Sequence, residues 1–331
     1  MSEEIPPWSA VVKDAYGSAT EVLRFIQTEI PAPDDDEVVV RVHAAGVDPS
    51  VWHLMTGSPY LIRLMGFGLR RPKVREVGSD LAGVVETIGR NVSQFRPGDA
   101  VFGVGQGSFA EYARARVDKL APMPATLSFD QAASVPVSGI TAVQGLRDAG
   151  KIEAGQKVLI IGAGGGVGTF AVQIASAWGA EVTGVASSSK ADLVRSIGAD
   201  SVIDYTKEDF ADGERRYDLI LDTAGRRPLS QLRRALTDRG TLVIVGGEGG
   251  GKWLGGTERQ LGALILSPFV AHNLRAMFST ERQQDLLVLK DLIESGKVTP
   301  VLDRTYPLSE TPAAIDHVKS GRAHGKVVIT I

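Results

Sequence analysis

Apolar and polar positions along the chain follow two different patterns, and the change between them falls near residue 128. Up to about residue 125, short apolar runs rich in valine alternate with glycine-marked turns, as at residues 38–43, 80–89 and 97–103. Short strands at this spacing are typical of antiparallel β-structure. We therefore predict an antiparallel, barrel-like domain in the N-terminal part of the chain.

Beyond residue 128 the pattern alternates between buried strands and amphipathic helices, the first of which Ser128 is predicted to cap. Strands are predicted at residues 158–161, 181–185, 219–222 and 241–245, and helices at residues 166–178, 190–197 and 229–236. This alternation indicates a parallel sheet with helices on both faces. A helix at residues 283–294 and a strand at residues 326–331 follow, and we expect this last strand to return to the first domain.

Composition and charge exclude several kinds of protein. The 331 residues suffice for two domains of ordinary size. A net charge of −3 provides no positive field for a polyphosphate, so no nucleic-acid partner is expected. The absence of cysteine excludes disulfides and thiolate metal sites. No leader-like N-terminus and no run of about eighteen apolar residues occurs, so we expect a cytoplasmic protein with no membrane partner.

A glycine-dense turn follows the strand at residues 158–161 and leads into an apolar helix. It matches the dinucleotide fingerprint in altered form, with Ala163 at the first glycine position and Gly165 and Gly168 at the other two. Glycines let the backbone approach a pyrophosphate, and the helix N-terminus directs free N–H groups at the anion. The alternative is a tight turn required for packing alone. A nucleotide-triphosphate loop is excluded, because no Gly-Lys-Ser/Thr follows.

The end of the second strand favours NADP over NAD. NAD sites usually carry an acid there that binds the ribose 2′-hydroxyl, but this chain has Ala186, followed by three serines and Lys190. A 2′-phosphate would meet hydroxyls and an ammonium group at this position. In a second interpretation, compatible with the first, Ser189 caps the next helix and Asp192 completes a capping box.

Motifs spread over nearly the whole chain resemble the medium-chain dehydrogenase/reductase superfamily, in its zinc-free quinone oxidoreductase branch. They are residues 43–48, 78–83, 97–101, 109–112, the glycine turn, 198–200, 203–205 and 325–329. The resemblance implies an α/β fold: a Rossmann doubly wound parallel sheet plus a GroES-like β-barrel catalytic domain. We accordingly predict a catalytic domain at residues 1–127, a Rossmann domain at residues 128–270 and a return segment at residues 271–331.

The resemblance also implies where the cofactor binds. Backbone groups of Gly165, Gly166 and Val167 are expected to hold the pyrophosphate. The 2′-phosphate of NADP is expected among Ser187, Ser188, Lys190 and Tyr205, although Tyr205 could instead be a half-buried aromatic that packs after a strand. The nicotinamide is expected beside Thr141, Gly246 and Gly247, with Lys326 near the cofactor.

No metal is expected at the position where zinc members of the superfamily bind one. The three catalytic ligand positions of those members correspond here to Asp48, Ser79 and Ser138, and the four-cysteine structural lobe is missing. A catalytic zinc site needs three firm nitrogen, sulfur or oxygen ligands. A replacement site built from Asp48, His53 and Asp80 is the alternative.

Without zinc, hydride transfer to a quinone or an α,β-unsaturated carbonyl is favoured, because negative charge spreads to a conjugated oxygen. Tyr60 is our candidate hydrogen-bond donor, with packing as the alternative role for its ring. Ser50 and His53 occupy positions that resemble the proton relay of alcohol dehydrogenases. A carboxylate at Asp48 could bind the nicotinamide ribose or orient water.

Other interpretations remain open at this point. The chain could be an enoyl-thioester reductase or another dehydrogenase of the superfamily, or a noncatalytic NADPH-binding sensor. Residues 61–71, which mix apolar side chains with arginines and glycines, could form a lid over a large apolar substrate or a packing surface. Relatives often pair through an edge strand, so we predict a homodimer that uses residues 241–245 and the apolar stretch 261–270.

Overall fold

The structure is a computed structural model that describes residues 8–246, 251 and 253–331. Gly247, predicted above to border the nicotinamide, lies outside the described residues. The strands are β1 (Trp8–Lys13), β2 (Leu23–Thr28), β3 (Glu37–Val47), β4 (Asp80–Ile88), β5 (Ala100–Val104), β6 (Tyr112–Arg116), β7 (Leu120–Pro122), β8 (Lys157–Ile161), β9 (Glu181–Ala186), β10 (Ser201–Asp204), β11 (Tyr217–Asp222), β12 (Leu236–Ile244), β13 (Asn273–Ala276), β14 (Leu302–Pro307) and β15 (Lys326–Thr330).

Helices connect most of these strands, and among the described residues none is both long and apolar enough to cross a membrane. The α-helices are α1 (Ala19–Val22), α2 (Pro49–Thr56), α3 (Tyr60–Ile62), α4 (Phe129–Ala133), α5 (Pro136–Val143), α6 (Gly166–Ala177), α7 (Ala191–Ser196), α8 (Leu229–Arg234), α9 (Thr257–Leu266), α10 (Gln283–Glu294) and α11 (Thr311–Lys319). Wider π-helical turns occur at Arg63–Phe67 and Gln144–Ala149, and 3-10 turns at Val117–Lys119, Ser188–Lys190, Ser267–Phe269 and Leu308–Glu310.

The chain divides into two compact units. Unit 1 contains the described residues up to Val137, together with Glu281–Glu294 and Leu302–Ile331, and unit 2 contains Ser138–Thr280 and Ser295–Val301. The sequence boundaries at residues 127/128 and 270/271 differ from this division for two reasons. Helix α4 packs on β3 and β4 in unit 1, and β13 extends the sheet of unit 2 beyond residue 270.

Unit 1 is built around a mostly antiparallel sheet in the order β14-β15-β3-β4-β5-β7, with β6 paired to β3. Valines on β3 alternate into the core, as the apolar pattern of residues 38–43 predicted. The last strand does return to this unit, because β15 pairs antiparallel with β3 and places Val327 opposite Val47. Ser128 caps α4 as predicted, since its hydroxyl accepts a hydrogen bond from the Gln131 N–H at 3.3 Å.

Unit 2 holds a six-stranded sheet in the order β10-β9-β8-β11-β12-β13, in which every adjacent pair is parallel. In chain order this is 3-2-1-4-5-6, the Rossmann arrangement, which has its topological switch point between β8 and β11. The predicted use of residues 241–245 as an edge strand is wrong, because β12 pairs with β11 on one side and β13 on the other. The edge strand on this side of the sheet is β13, whose short mixed sequence gives no buried-strand signal.

Candidate functional site

The glycine turn between β8 and α6 brings helix and strand closer than side chains would permit. Gly162 has a φ of 85°, in the left-handed region that favours glycine. A Cβ placed on Gly168 would lie 2.1 Å from the carbonyl oxygen of Gly162, so any other residue there would push α6 away. Of the two fingerprint glycines, Gly168 is therefore required by the local geometry, whereas a Cβ on Gly165 would lie 3.3 Å from the same oxygen.

Helix α6 begins without a side-chain cap. Gly165 is its N-cap, in an extended conformation, and no side chain bonds to the first turn. Its carbonyl accepts the first helical hydrogen bond, from the Thr169 N–H at 2.9 Å. The N–H groups of Gly166, Val167 and Gly168 are those that the first turn of a helix leaves without an internal partner, and they carry the positive end of the helix dipole. The Gly165 N–H, which was also predicted to hold the pyrophosphate, instead donates to the Gly162 carbonyl at 3.0 Å. Such a bare cradle at a Rossmann switch point fits a dinucleotide pyrophosphate.

The predicted 2′-phosphate side chains gather at the carboxyl ends of β9 and β10. The stem of Lys190 packs on the glycine turn, since a Cβ on Gly164 would lie 2.7 Å from its Cδ. The Ser187 and Ser189 hydroxyls lie 3.0 Å apart. Tyr205 is half exposed, and its N–H donates to the Ala186 carbonyl at 3.2 Å. The structure thus brings Lys190 to the turn and Tyr205 to the neighbouring strand end.

A carboxylate that the cofactor prediction did not include also lies at this edge. Asp204 ends β10 opposite Ala186 and accepts a short hydrogen bond from the Ser188 hydroxyl. That bond, followed by the bond from the Thr206 hydroxyl, holds the pKa of Asp204 well below its ordinary value. The carboxylate is therefore ionised at neutral pH, and it would repel a 2′-phosphate or accept a bond from a ribose hydroxyl.

The alternative capping role of Ser189 is wrong. Ser189 lies inside the 3-10 turn Ser188–Lys190, and Lys190 is the N-cap of α7 with no side-chain cap bond. The side chain of Asp192 instead forms an ion pair with Arg195, at 3.0 Å. The serines at this edge are thus not used to start α7.

Two of the residues predicted to border the nicotinamide lie in unit 2 within the described residues. Thr141 is buried, and its hydroxyl donates to the Ser279 hydroxyl at 3.0 Å. Gly246 follows β12, and a Cβ there would lie 2.5 Å from the Thr223 carbonyl oxygen. Gly246 therefore lets the chain run close to the carboxyl end of β11.

A buried ion pair at that strand end was missed by the sequence analysis. Arg259, on α9, donates to Asp222 at 2.5 Å, and Asp222 also accepts the Gly225 N–H at 3.0 Å. The Nε and Nη1 groups of Arg259 are buried without a hydrogen-bond partner among the described residues. An acid at the end of a buried strand was visible in the sequence, but the arginine lies 37 residues later with no local signal.

In unit 1, three of the catalytic candidates lie on or beside α2. Asp48 is its N-cap, and one carboxylate oxygen accepts the Ser50 N–H at 2.7 Å. His53 Nδ1 lies 2.8 Å from the Ser58 carbonyl oxygen, so Nδ1 carries the hydrogen in this contact. The His53 ring tilts against Trp52 with the ring centres 3.7 Å apart. These contacts fix the orientations of Asp48 and His53.

Tyr60, the fourth candidate, begins α3 and lies under an arginine. The guanidinium carbon of Arg63 is 4.7 Å from the Tyr60 ring centre and 4.4 Å from that of Tyr16. Arg63 also donates to the Gly57 carbonyl at 2.9 Å. Tyr60 is therefore held by a cation–π contact that the sequence analysis did not foresee.

A buried charge cluster lies at the start of β4. Asp80 is fully buried, accepts the Val137 N–H at 3.0 Å, and lies 3.3 Å from the ammonium of Lys326, which is 2% exposed. Burial raises the pKa of Asp80 to about 7, while Lys326 opposes and Asp48 adds to that increase. The second oxygen of Asp48 is buried with no partner. The predicted contact of Lys326 with the cofactor stays a prediction.

The donor groups do not form the zinc site of zinc-containing members. Asp48 and Ser79 stand at two ligand positions in unit 1, one Asp48 oxygen is occupied by the Ser50 N–H, and both Asp80 oxygens have partners. Within residues 8–246, 251 and 253–331, no group of three histidine or acidic side chains could hold a metal. The alternative set of Asp48, His53 and Asp80 is therefore not assembled.

A surface cavity of about 690 Å³ also occurs in unit 1. Its lining includes Arg41, His43, Glu111 and Thr330. Thr330 ends β15, whereas Lys326 begins it, so the cavity lies at the opposite end of that strand from the charge cluster. None of the predicted site residues lines this cavity.

Comparisons with known proteins agree with the fold. The family model described as "Alcohol dehydrogenase GroES-like domain" matches residues 34–125, within unit 1. The model described as "Zinc-binding dehydrogenase" matches residues 197–329. The second description mentions zinc, whereas the ligand positions of this chain do not match a zinc site.

Individual relatives match along almost the whole chain. NAD(P)H oxidoreductase RTN4IP1, mitochondrial, from Bos taurus is 32% identical, with 100% of this chain and 90% of the relative covered. Quinone oxidoreductase from Sus scrofa is 31% identical, with 91% of each covered. The structure of the quinone oxidoreductase from Coxiella burnetii gives a TM-score of 0.82 at 26% identity, covering 98% of this chain and 99% of that one. The chain therefore belongs to the medium-chain dehydrogenase/reductase superfamily, among its quinone oxidoreductase-like members.

Proposed function

We propose that this chain is an NADPH-dependent oxidoreductase that transfers hydride to a quinone or an α,β-unsaturated carbonyl without a zinc ion. The observation that carries the proposal is the uncapped N-terminus of α6 behind a turn in which Gly168 has no room for a Cβ. The names of the Bos taurus and Sus scrofa relatives, NAD(P)H oxidoreductase and quinone oxidoreductase, support the cofactor class and the acceptor class.

The preference for NADPH over NADH rests on the residues at the carboxyl ends of β9 and β10. Ala186 removes the acid that NAD sites use, and Lys190 packs on the turn from the same edge. Asp204 works against the phosphate, but the hydroxyls of Ser188 and Thr206 already bind its charge. One charge-assisted bond from Lys190 contributes about 1.5–3 kcal/mol, and we expect this contribution to decide the preference.

NADPH supplies the hydride when it is bound. The residues of this chain then have to orient the acceptor, exclude water and stabilise the oxygen that gains charge. Tyr60 is the proposed hydrogen-bond donor, because Arg63 holds its ring in one orientation. Ser50 and His53 are proposed to pass a proton between the acceptor oxygen and solvent, and Asp48 to bind the ribose or a water molecule through its unpaired oxygen.

The donor chemistry at the three ligand positions supports zinc independence. Asp48 offers one free oxygen, and Ser79 and Ser138 offer neutral hydroxyls, which do not replace two thiolates or a thiolate and an imidazole. Without a Lewis acid, an isolated ketone gains little stabilisation in the transition state, whereas a conjugated acceptor delocalises its own charge. Conjugated acceptors are therefore the proposed substrates.

A panel of acceptors tests the proposal. The purified chain is mixed with NADPH or NADH and with a quinone, an enone, an enoyl thioester or an isolated ketone, and loss of the reduced nicotinamide absorbance is followed. We expect turnover of the quinone or the enone with NADPH and none of the isolated ketone. Turnover of the enoyl thioester alone would contradict the substrate class. NADPH binding without turnover of any acceptor would indicate a sensor.

Metal analysis is the companion measurement for zinc independence. The same turnover should persist after prolonged treatment with a chelator, and the protein should contain zinc well below one equivalent. Activity that is lost with the chelator and restored by zinc would refute this part of the proposal. The predicted cytoplasmic location stays a prediction, since the Bos taurus relative is named as mitochondrial.

The homodimer is proposed to form through the edge strand β13 rather than β12. Among the described residues this strand pairs with β12 alone, and α9 together with the following turn exposes Leu264, Ile265 and Phe269, the last of them 82% exposed. An exposed edge beside a large apolar patch is an association surface. Light scattering should give twice the chain mass, and Phe269→Asp on the apolar patch should lower it to the monomer mass.

A further inference from the structure

Residues 61–75 form a segment of unit 1 that combines exposed apolar side chains with unpaired cations. Leu64, Met65 and Leu69 are 64–65% exposed and Phe67 is 44% exposed. The segment contains five basic residues and no acidic residue, in a chain whose net charge is −3. Apart from Arg63, which contacts the ring of Tyr60, neither the proposed hydride chemistry nor the proposed cofactor site uses these side chains.

The protein holds this segment in place at its base. The hydroxyl of Tyr16 donates to the carbonyl oxygens of Phe67 and Gly68, at 2.9 Å and 2.7 Å. The Lys73 N–H donates to the Phe67 carbonyl at 2.9 Å. Gly66 and Gly68 have φ values of 107° and 111°, which let the chain turn between the apolar residues. The exposed side chains are thus presented on a fixed loop.

The five cations divide into two groups. Arg63 is used internally, against Tyr16 and Tyr60, and Arg75 forms an ion pair with Asp14 at 2.6 Å. The other three are exposed and have no ion-pair partner among the described residues, namely Arg70, Arg71 and Lys73. They follow the apolar residues directly in the chain. The segment therefore presents an apolar tip with a positively charged margin.

We propose that residues 64–74 dock unit 1 onto an anionic lipid surface. Interfacial binding needs a few apolar side chains that enter the headgroup region and cations that contact anionic lipid. At the exposures given above, the four apolar side chains together present on the order of 500 Å² of solvent-accessible surface. A standard protein–protein interface needs about 800 Å² on each partner. The tip is too small for a stable protein interface, whereas its charge complements a bilayer that contains acidic lipid.

This peripheral contact departs from the expectation, stated in the sequence analysis, that the protein has no membrane partner. That expectation rested on the absence of a long apolar run, which says nothing about a short apolar loop with adjacent cations. Docking would bring the enzyme to the phase in which long-tailed apolar quinones dissolve. The inference does not depend on the proposed function, because lipid binding is measured without cofactor or acceptor.

Co-sedimentation of the full chain with vesicles tests the proposal. Phosphatidylcholine vesicles with and without phosphatidylserine are compared. We expect binding to increase with phosphatidylserine and to weaken as salt is added. Substitution of Arg70, Arg71 and Lys73 by serine should lower the affinity for phosphatidylserine vesicles about fivefold for each cation removed. The triple variant should therefore bind on the order of 100-fold more weakly. A control variant with serine at the exposed Arg234, Arg239 and Arg282 should bind like the wild type.

An apolar variant tests the tip itself. Leu64→Ser, Met65→Ser and Leu69→Ser combined should reduce vesicle binding at least tenfold while leaving the unfolding midpoint unchanged, because these side chains are exposed. Equal binding to both vesicle types, or wild-type binding by the apolar variant, would overturn the proposal. A third result would also overturn it: the apolar variant shows a raised KM for a short soluble quinone in the absence of vesicles but binds vesicles like the wild type. The segment would then be a substrate lid. Loss of self-association with unchanged vesicle binding would instead assign the tip to a second copy of the chain.

Discussion

Replacing Lys190 by alanine should change cofactor preference without disturbing the fold. The stem of this lysine lies against Gly164 in the phosphate turn, and its residue follows the serines at the end of β9. Half-buried at the margin of unit 2, its side chain can be removed without opening the core. The substitution removes the one cation that the 2′-phosphate prediction includes, and it leaves the amides of α6 intact.

The expected magnitude follows from one charge-assisted hydrogen bond. Such a bond contributes about 1.5–3 kcal/mol, so NADPH should bind roughly 10- to 150-fold more weakly. NADH lacks the phosphate and should bind within about twofold of its original affinity. Titration calorimetry with both cofactors measures the two changes directly, at low salt and again at high salt, where the difference between the cofactors should shrink.

Two further variants make this result interpretable. Lys190→Arg keeps the charge and should retain most of the NADPH affinity. Lys157→Ala removes an exposed lysine from the first residue of β8, at the amino ends of the parallel strands and away from the phosphate turn, and should change neither affinity. Equal weakening of NADPH and NADH by Lys190→Ala would refute a phosphate contact and would indicate that the lysine supports the turn. An unchanged NADPH affinity would remove Lys190 from the site.

Three other outcomes follow from the geometry of both units. Tyr60→Phe should lower kcat by about 100-fold or more, with little change in NADPH affinity, because one donor to the developing oxyanion is lost; steady-state kinetics with a quinone would measure this, and an unchanged kcat would leave Tyr60 with a packing role. Gly168→Ala should cost about 1–3 kcal/mol of unfolding free energy and most of the NADPH affinity, because its Cβ would lie 2.1 Å from a carbonyl oxygen; urea unfolding beside Gly262→Ala, whose Cβ would meet a leucine methyl group at 3.3 Å, is the control. The wild-type unfolding free energy should fall as pH rises from about 4 to 7, because Asp80, with a folded pKa of about 7, keeps a proton that the unfolded chain releases. Asp80→Asn should flatten this part of the plot of unfolding free energy against pH, and a variant curve parallel to that of the wild type would contradict the assignment.

Features that depend on neighbouring residues could be read from the sequence. The glycine turn is one of them, because its tight backbone and the helix that follows are encoded within a dozen residues. The Ser128 cap is another, since its partner Gln131 lies three residues away. Helix α10 was predicted with the bounds that the structure has, because its apolar residues recur at helical spacing. Local chemistry was sufficient in each case.

Features that depend on chain pairing could not be read in this way. Lys326 and Asp80 are 246 residues apart and meet because β15 returns beside β3, while β3 pairs with β4. Strand β13 has only four residues of mixed polarity, and these residues form a strand because they pair with β12. Arg63 contacts the ring of Tyr60, and the sequence analysis had left its stretch, residues 61–71, as either a lid or a packing surface.

The cluster of Asp48, Asp80 and Lys326 shows how unit 1 tolerates buried charge at a position where zinc members of the superfamily hold a metal. All three side chains are less than 5% exposed, and two carboxylates with one ammonium would leave a net negative charge in the interior. An uncompensated buried charge is costly, and protonation of one carboxylate relieves it. The raised pKa of Asp80 is that response. Gly46 leaves room for the Asp80 side chain, because a Cβ on Gly46 would lie 2.9 Å from an Asp80 oxygen. The ammonium of Lys326 and the proton that the raised pKa keeps on Asp80 thus offset the negative charge that these buried carboxylates would otherwise place in the interior of unit 1.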